Sequence, residues 1–150
     1  MLGELTAEQI NAVLFNEVVG RIGCHGDGRT YVVPVTYVFD GEAVYAHSAE
    51  GLKIRTMRAN PAVCFQVDQR ENLANWRSVV AWGVYEELCG KDAQDALQLL
   101  VARLLPLVTS ETLRLPDSLG LAAATPVIDA PKAIVYRIRL IEKTGRFERR

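Results

Sequence analysis

The stretch that decides the fold is Tyr31-Val32-Val33-Pro34-Val35-Thr36-Tyr37-Val38-Phe39, a run of β-favouring residues between two turn signals. Gly26-Asp27-Gly28 precedes it, and Asp40-Gly41, a dipeptide typical of tight hairpins, follows it. The run is apolar on both faces, whereas a barrel strand with water outside alternates apolar and polar residues. Something apolar must therefore cover its outer face as well. The cover is either a flat ligand or protein, from this chain's own loops or from a partner subunit.

Pro34 adds a constraint on the same run, because proline has no amide hydrogen to donate to a neighbouring strand. A fully paired central strand does not accommodate it, so we expect the pairing to be interrupted there. A strand that is apolar on both sides and locally unpaired can offer its backbone groups to a flat ligand.

Outward from this run the chain contains six strand-like runs, and six strands favour a closed or nearly closed antiparallel sheet without exposed edges. The fifth run contains Gly83, which indicates a bulge or the close approach of another backbone. The expected strands are 18–25, 30–39, 42–48, 62–67, 76–88 and 132–143, with a polar stretch at 68–75 outside them.

Helices flank these strands. Thr6 and Gln9 form a capping-box pattern ahead of an apolar stripe, which predicts a first helix. A short helix is expected within 49–60, and a longer one over 92–105. The stretch 106–131 contains four prolines and reads as irregular, in the manner of a lid or a partner contact. Since no linker divides the chain, residues 1–150 are expected to form a single domain.

A candidate anion site lies where the third strand-like run leads into the short helix. The N-terminus of a helix attracts phosphate, and the Ser48 hydroxyl and the Lys53 ammonium would complete a cradle that begins at His47. Arg55 and Arg58 lie nearby and could raise the positive potential. The alternative is an ordinary loop with solvated cations, and the residues alone leave both interpretations open.

Other chemistry-bearing residues give weaker signals. Cys24, Cys64 and Cys89 are widely spaced and only two histidines are present, so no metal site is expected. We interpret the cysteines as reduced residues of a cytoplasmic chain. Trp82 is large and apolar, and we expect it at an interface or beside a cofactor more than in the core.

Bulk composition excludes several function classes. Hydrophobic residues make up 49% and charged residues 23%, as in a folded globular protein. The net charge of −1 argues against a nucleic-acid partner, and no run is long enough to cross a membrane. Nucleophile-elbow, paired-carboxylate, dinucleotide and nucleoside-triphosphate motifs are missing, so no catalytic residue is assigned.

Taken in order, these pieces resemble the pyridoxamine 5′-phosphate oxidase-like family of FMN-binding split barrels, in particular the branch that includes 5-nitroimidazole reductases. The resemblance spans about 17–88 and resumes in the last strand. It is carried by Gly20-Arg21-Ile22-Gly23, Val33-Pro34-Val35-Thr36-Tyr37, His47-Ser48-Ala49 with Gly51 and Lys53, Arg58-Ala59-Asn60-Pro61 with Val63-Cys64-Phe65, Arg77-Ser78-Val79, and Thr144-Gly145-Arg146.

The resemblance implies a mainly β fold, a six-stranded antiparallel split β-barrel with flanking helices, and FMN at the interface of a homodimer. It implies a flavin ring against the second strand and a phosphate held at the candidate anion site. A second subunit would contact the ring through two residues of the fifth strand. The residues that the resemblance assigns to the cofactor are Val33, Pro34, Val35, Thr36, His47, Ser48, Lys53, Ser78 and Val79.

Two differences from the pyridoxamine phosphate oxidases restrict the activity that the resemblance implies. Pyridoxamine phosphate oxidases carry an arginine where Leu52 stands, and a C-terminal tryptophan-and-arginine motif, whereas no tryptophan follows Val135. These departures argue against vitamin B6 oxidation. The resemblance favours an oxidoreductase that passes electrons from a reduced nicotinamide to a small acceptor such as a nitroaromatic. A non-catalytic protein or sensor that binds flavin, haem or deazaflavin is the alternative, because fold does not fix substrate.

Overall fold

The structure is a computed structural model, and it describes residues 1–107 and 133–150. The strands in these residues are β1 (Leu2–Glu4), β2 (Val19–Gly26), β3 (Arg29–Thr36), β4 (Val38–Phe39), β5 (Ala43–Ser48), β6 (Ala62–Asn72), β7 (Asn75–Glu87) and β8 (Ile134–Glu148). The helices are α1 (Ala7–Asn16), α2 (Leu52–Ala59) and α3 (Gly90–Leu104), and a 3₁₀ turn follows at Leu105–Leu107.

The strands form one antiparallel sheet in the order β3-β2-β6-β7-β8-β5-β4. β8 pairs with β7 along most of its 15 residues, and its other edge is shared between β5 and β1. Among the described residues no ladder joins β3 to β4 or β5, so the sheet keeps a seam between its two ends. This arrangement confirms the expected mainly β fold with flanking helices.

The described residues form eight strands rather than the six expected, because the short strands carry no sequence signal of their own. β1 has three residues, and the expected run 30–39 divides at Tyr37 into β3 and β4. The polar stretch 68–75 lies mostly within β6 and β7, which turn at Leu73-Ala74, since a paired backbone can present polar side chains to solvent. Of the expected irregular stretch 106–131, all but its first two residues lie outside the described residues.

β3 is an edge strand in this part of the chain, and its ladder with β2 runs unbroken from Val19↔Thr36 to Gly26↔Arg29. The expected interruption at Pro34 is therefore wrong, because Pro34 pairs in register with Arg21. An edge strand tolerates proline, since only one of its sides joins a ladder.

α1 closes one part of the core, and its start confirms the predicted capping box. The Gln9 amide donates to Thr6 Oγ1 at 3.2 Å, and the Thr6 amide donates to Gln9 Oε1 at 2.9 Å. The helix buries Ile10, Val13 and Leu14, and the Leu14 carbonyl accepts a hydrogen bond from the buried Tyr37 hydroxyl at 2.9 Å. None of the helices in the described ranges has the length and apolar character that crossing a bilayer requires.

Gly83 confirms both expectations attached to it. The register between β7 and β8 shifts between Trp82 and Gly83, which marks a bulge. A Cβ atom at Gly83 would lie 2.5 Å from the Arg139 carbonyl oxygen and 2.8 Å from Ile138 Cγ2. The two strands can approach this closely only because residue 83 has no side chain.

Candidate functional site

The expected anion site is built where β5 runs into α2. His47 and Ser48 are the last residues of β5, and Lys53 is the second residue of α2. Gly51 is the N-cap residue of α2 and has no side chain that could accept a hydrogen bond. No capping side chain therefore occupies the amides of the first turn. Lys53 is half-buried, and burial lowers the pKa of its ammonium, an effect that the nearby Cys24 thiol opposes.

His47 is the least satisfied polar residue of this corner. Its Nδ1 atom is buried and has no hydrogen-bond partner among the described residues. Burial lowers the pKa of the imidazole, and the neighbouring Lys53 ammonium lowers it further. No described carboxylate forms an ion pair with Lys53. In the described residues the corner therefore combines a cation that has no ion-pair partner with an imidazole nitrogen that has no hydrogen-bond partner.

Two neighbours of this corner have local partners instead. The Ser48 hydroxyl donates to the Ala49 carbonyl at 2.9 Å, so its hydrogen is used within the loop. Arg58, expected to raise the local potential, is bound between two carboxylates: Nε lies 2.8 Å from Glu87, and NH1 lies 2.6 Å from Glu50. Its charge is neutralised, and its effect is to tie loop 49–51 and α2 to the end of β7.

Sequence reasoning missed two residues beside this corner. Tyr136 is fully buried, and its hydroxyl has no partner among the described residues. Burial is the main cause that raises its pKa, with a further contribution from Cys24. Cys24 is buried too, and burial raises its thiol pKa while Lys53 opposes that shift. The sequence gives no functional signal at Tyr136, because nothing in a single sequence marks a tyrosine whose hydroxyl lacks a partner.

The expected ring-binding residues divide between the two faces of the sheet. Residues paired across antiparallel strands share a face, and successive residues alternate. The buried face, which lines the core, carries the side chains of Val33, Val35 and Val79. Pro34 and Thr36, which alternate with these residues on β3, are exposed. Val33, Val35 and Val79 could thus contact a ligand on the outer face only through their backbone atoms.

A second polar group occupies this outer face beside Ser78. Arg21 NH1 lies 3.1 Å from Asp68 Oδ1. The Gln66 side-chain nitrogen lies 3.3 Å from the same Asp68 oxygen and 3.3 Å from Ser78 Oγ. A 330 Å³ cavity adjoins this network, and it is lined by Gln66, Asp68, Arg70, Leu73, Trp76 and Ser78.

An apolar row crosses the same face. The ladders place Val32, Gly23, Cys64 and Trp82 in one line across β3, β2, β6 and β7. Val32 is 64% exposed and Trp82 is 44% exposed, so Trp82 lies outside the core. In residues 1–107 and 133–150, no group of three or more His, Cys, Asp and Glu side chains is placed to hold a metal ion.

Known proteins share this architecture. A FAD-binding protein from Mesorhizobium loti is 31% identical, with a TM-score of 0.78 over 100% of this chain and 98% of its own. A protein proposed to confer 5-nitroimidazole antibiotic resistance in Bacteroides thetaiotaomicron shares the fold at 18% identity, with a TM-score of 0.70 over 98% of this chain and 87% of its own.

Sequence comparison agrees with the structural one. An uncharacterized protein of Rhizobium meliloti is 36% identical over 84 residues, and this match spans 56% of this chain and 56% of that protein. The model of the pyridoxamine 5′-phosphate oxidase family matches residues 6–146. The expected resemblance is confirmed: this chain belongs to the pyridoxamine 5′-phosphate oxidase family and has its split-barrel fold.

Proposed function

We propose that this chain is a flavin-binding oxidoreductase that holds FMN at the interface of a homodimer. It passes electrons from a reduced nicotinamide to a small acceptor such as a nitroaromatic. The observation that carries the proposal is the corner of His47 and Lys53, where, within the described residues, a half-buried cation has no ion-pair partner and a buried imidazole nitrogen has no hydrogen-bond partner. Burying such groups without partners is costly, so an anionic ligand is the natural complement.

A phosphate monoester fits the donor set of this corner. The Lys53 ammonium supplies charge and the first turn of α2 supplies free amides. The His47 Nδ1 atom can donate once the ring takes up a proton or the other tautomer. Ser48 can contribute its hydroxyl only by releasing the Ala49 carbonyl. Lys53 and His47 are therefore assigned the largest share of phosphate binding.

The mechanism divides between cofactor and protein. A bound flavin supplies hydride and single-electron transfer, while the chain supplies orientation and exclusion of water. Pro34 and Thr36 present an exposed edge strand to the ring, with the backbone of Val33 and Val35 available beside them. Ser78 and the backbone of Val79 lie farther along the same outer face. No side chain is assigned as a general acid.

The separation between β3 and β7 supports two subunits. Three strand spacings of about 4.8 Å put roughly 14 Å between β3 and β7, and the side chains of Pro34 and Ser78 are too short to span this gap. A two-fold dimer would let β3 of one subunit and Ser78 of the other meet the same ring. The exposed Val32 and Trp82 would then be buried in the interface.

The flavin is proposed to be FMN, and FAD is the specific alternative. The Mesorhizobium loti relative is described as FAD-binding. A 230 Å³ cavity adjoins the start of α2 and is lined by Gly26, Asp27, Arg29, Tyr31, Leu52 and Thr56, which leaves room for part of a longer cofactor. We further propose a cytoplasmic, single-domain protein without a nucleic-acid or membrane partner.

The deciding experiment is the absorption spectrum of the purified protein, with chromatography of whatever acid releases from it. A flavin spectrum and released FMN are expected, and steady-state oxidation of NADH or NADPH is expected with a nitroaromatic or quinone acceptor. Released FAD would correct the cofactor, and flavin without turnover would leave a binding or sensor protein. Haem, deazaflavin or a chain that takes up no flavin would overturn the proposal.

A further inference from the structure

The Gln66 carboxamide occupies a central position in the outer-face network. It lies between the Asp68 carboxylate and the Ser78 hydroxyl, with its nitrogen 3.3 Å from an oxygen of each. Asp68 is itself held by the Arg21 guanidinium at 3.1 Å. All of these contacts are part-buried, so water competes with them less than on an open surface.

This arrangement fixes the direction of each hydrogen bond. A carboxylate paired with a guanidinium only accepts, so the Gln66 atom facing Asp68 must be the NH₂ group and not the carbonyl oxygen. An NH₂ group has two hydrogens, and here one goes to Asp68 and the other to Ser78. Ser78 Oγ therefore accepts from Gln66, and its single hydrogen is not used in that contact.

The free hydrogen of Ser78 has a cavity beside it. The hydroxyl makes no other hydrogen bond among residues 1–107 and 133–150, and it lines the 330 Å³ cavity together with Trp76, Leu73 and Arg70. The Ser78 hydroxyl thus keeps its hydrogen and one lone pair, and a ligand atom that accepts a hydrogen bond in this cavity satisfies that hydrogen without breaking the network.

We propose that Gln66, held in turn by Asp68 and Arg21, is a positioning residue that commits the Ser78 hydroxyl to donating a hydrogen bond to the flavin ring. The inference rests on the proposed function. It favours an acceptor, a ring nitrogen or carbonyl oxygen, as the flavin atom that meets Ser78, because a ring N–H bound to the remaining lone pair would leave the hydroxyl hydrogen without a partner. Because a donor stabilises an acceptor more strongly as that acceptor gains electron density, the contact favours the reduced flavin and raises its midpoint potential.

The first test needs no cofactor. In ¹⁵N-labelled apoprotein the two Gln66 side-chain amide protons are expected to exchange slowly and to have separate chemical shifts. Ser78→Ala should move one of them and Asp68→Asn the other. Gln69, the same residue type on β6 in the alternate side-chain position, is the internal control. Gln66 protons that exchange as fast as those of Gln69 would refute the fixed hydrogen-bond direction.

The second test measures the midpoint potential of the flavin-loaded protein. Ser78→Ala is expected to weaken binding of reduced relative to oxidised flavin about tenfold, which lowers a two-electron potential by about 30 mV. Gln66→Leu should produce most of the same shift, and the double variant little more, because both remove one oriented donor. Ser78→Thr keeps a hydroxyl at this position and should therefore keep the wild-type potential. Gln69→Leu should also leave the potential unchanged.

These outcomes separate the inference from the function on which it rests. An unchanged potential in Ser78→Ala would refute the donor role, and an unchanged potential in Gln66→Leu alone would refute the positioning role. Full additivity in the double variant would also contradict it. If the wild-type chain binds no flavin, the proposed function fails, whereas the apoprotein spectrum still reports whether Ser78 is held as a donor.

Discussion

The two polar regions of this molecule differ in how completely their groups are partnered. At the end of β5, His47 Nδ1 has no hydrogen-bond partner and Lys53 forms no ion pair in the described residues. On the outer face of β6 and β7, Asp68, Gln66 and Ser78 form a connected network. Within the described residues the first region leaves polar groups without partners, whereas the groups of the second already bind one another.

If the chain binds flavin as proposed, this difference assigns the two regions different tasks in binding it. Unpartnered groups in a half-buried corner supply affinity, because a ligand removes the cost of burying them. A satisfied network supplies orientation, because its donors keep their directions before the ligand arrives. Affinity for the flavin should therefore depend on Lys53, and the electronic properties of the bound flavin on Ser78.

The largest effect is expected from removing Trp82, which lies on the outer face and not in the region of Lys53. Trp82→Ala should weaken the homodimer about 30-fold, or about 2 kcal/mol, the size typical of a central aromatic anchor. Sedimentation over a dilution series measures this change. Leu99→Ala on α3, 42% exposed against 44% for Trp82, is the matched control. An equally tight Trp82→Ala dimer would place the interface elsewhere.

Lys53→Ala should weaken flavin binding by more than tenfold, which corresponds to more than about 1.4 kcal/mol. The reason is the loss of the half-buried cation that lies beside His47. Titration of apoprotein with FMN, followed by fluorescence quenching, measures the affinity. Arg55→Ala removes an exposed charge from the same helix and should cost far less. Equal losses in the two variants would mean that only general positive potential acts there.

Asp68→Asn tests the satisfied region in the absence of flavin. It removes the negative charge that pairs with Arg21 and leaves only a weaker, neutral acceptor for Gln66, and it should lower the free energy of unfolding by about 1 kcal/mol. Urea denaturation measures the change. Glu71→Gln alters a carboxylate on the same strand that forms no ion pair in the described part of the chain. A loss no larger than that of Glu71→Gln would show that the network contributes orientation only.

Sequence reasoning located the elements better than the directions of their side chains. Local signals were sufficient for the capping box at Thr6 and the bulge at Gly83, because each depends on neighbouring residues or on one missing side chain. The β6–β7 hairpin was missed in part, since the polar stretch 68–75 follows no apolar alternation. The hydrogen-bond network of Gln66 and Asp68 was therefore not predicted either.

The placement of Val33, Val35 and Val79 shows why the directions of the side chains could not be predicted from the sequence. All three were assigned to the cofactor, yet their side chains line the core, because strand register and sheet curvature decide which of two apolar faces is inside. A run that is apolar on both faces, such as the one around Pro34, carries no information about that choice. The unpartnered atoms of His47 and Tyr136 are likewise properties of three-dimensional packing.

The smallest effect is expected at His47 and appears only as a dependence on pH. An imidazole in the unfolded chain has a pKa of about 6.5, and burial together with Lys53 lowers the pKa in the folded chain. Below about pH 6.5 the folded protein therefore binds fewer protons than the unfolded chain. The contribution of the neutral imidazole to the free energy of unfolding is complete above about pH 6.5 and is lost as the pH falls through the lowered folded pKa. His47→Gln should remove this loss, less than about 1 kcal/mol at pH 6. Urea midpoints between pH 7 and pH 5 should thus fall less steeply in His47→Gln than in wild type or in Ser48→Ala, which removes no titrating group. If the urea midpoints of all three proteins fell in parallel with pH, the imidazole would be solvated and would not be a buried group that lacks a hydrogen-bond partner.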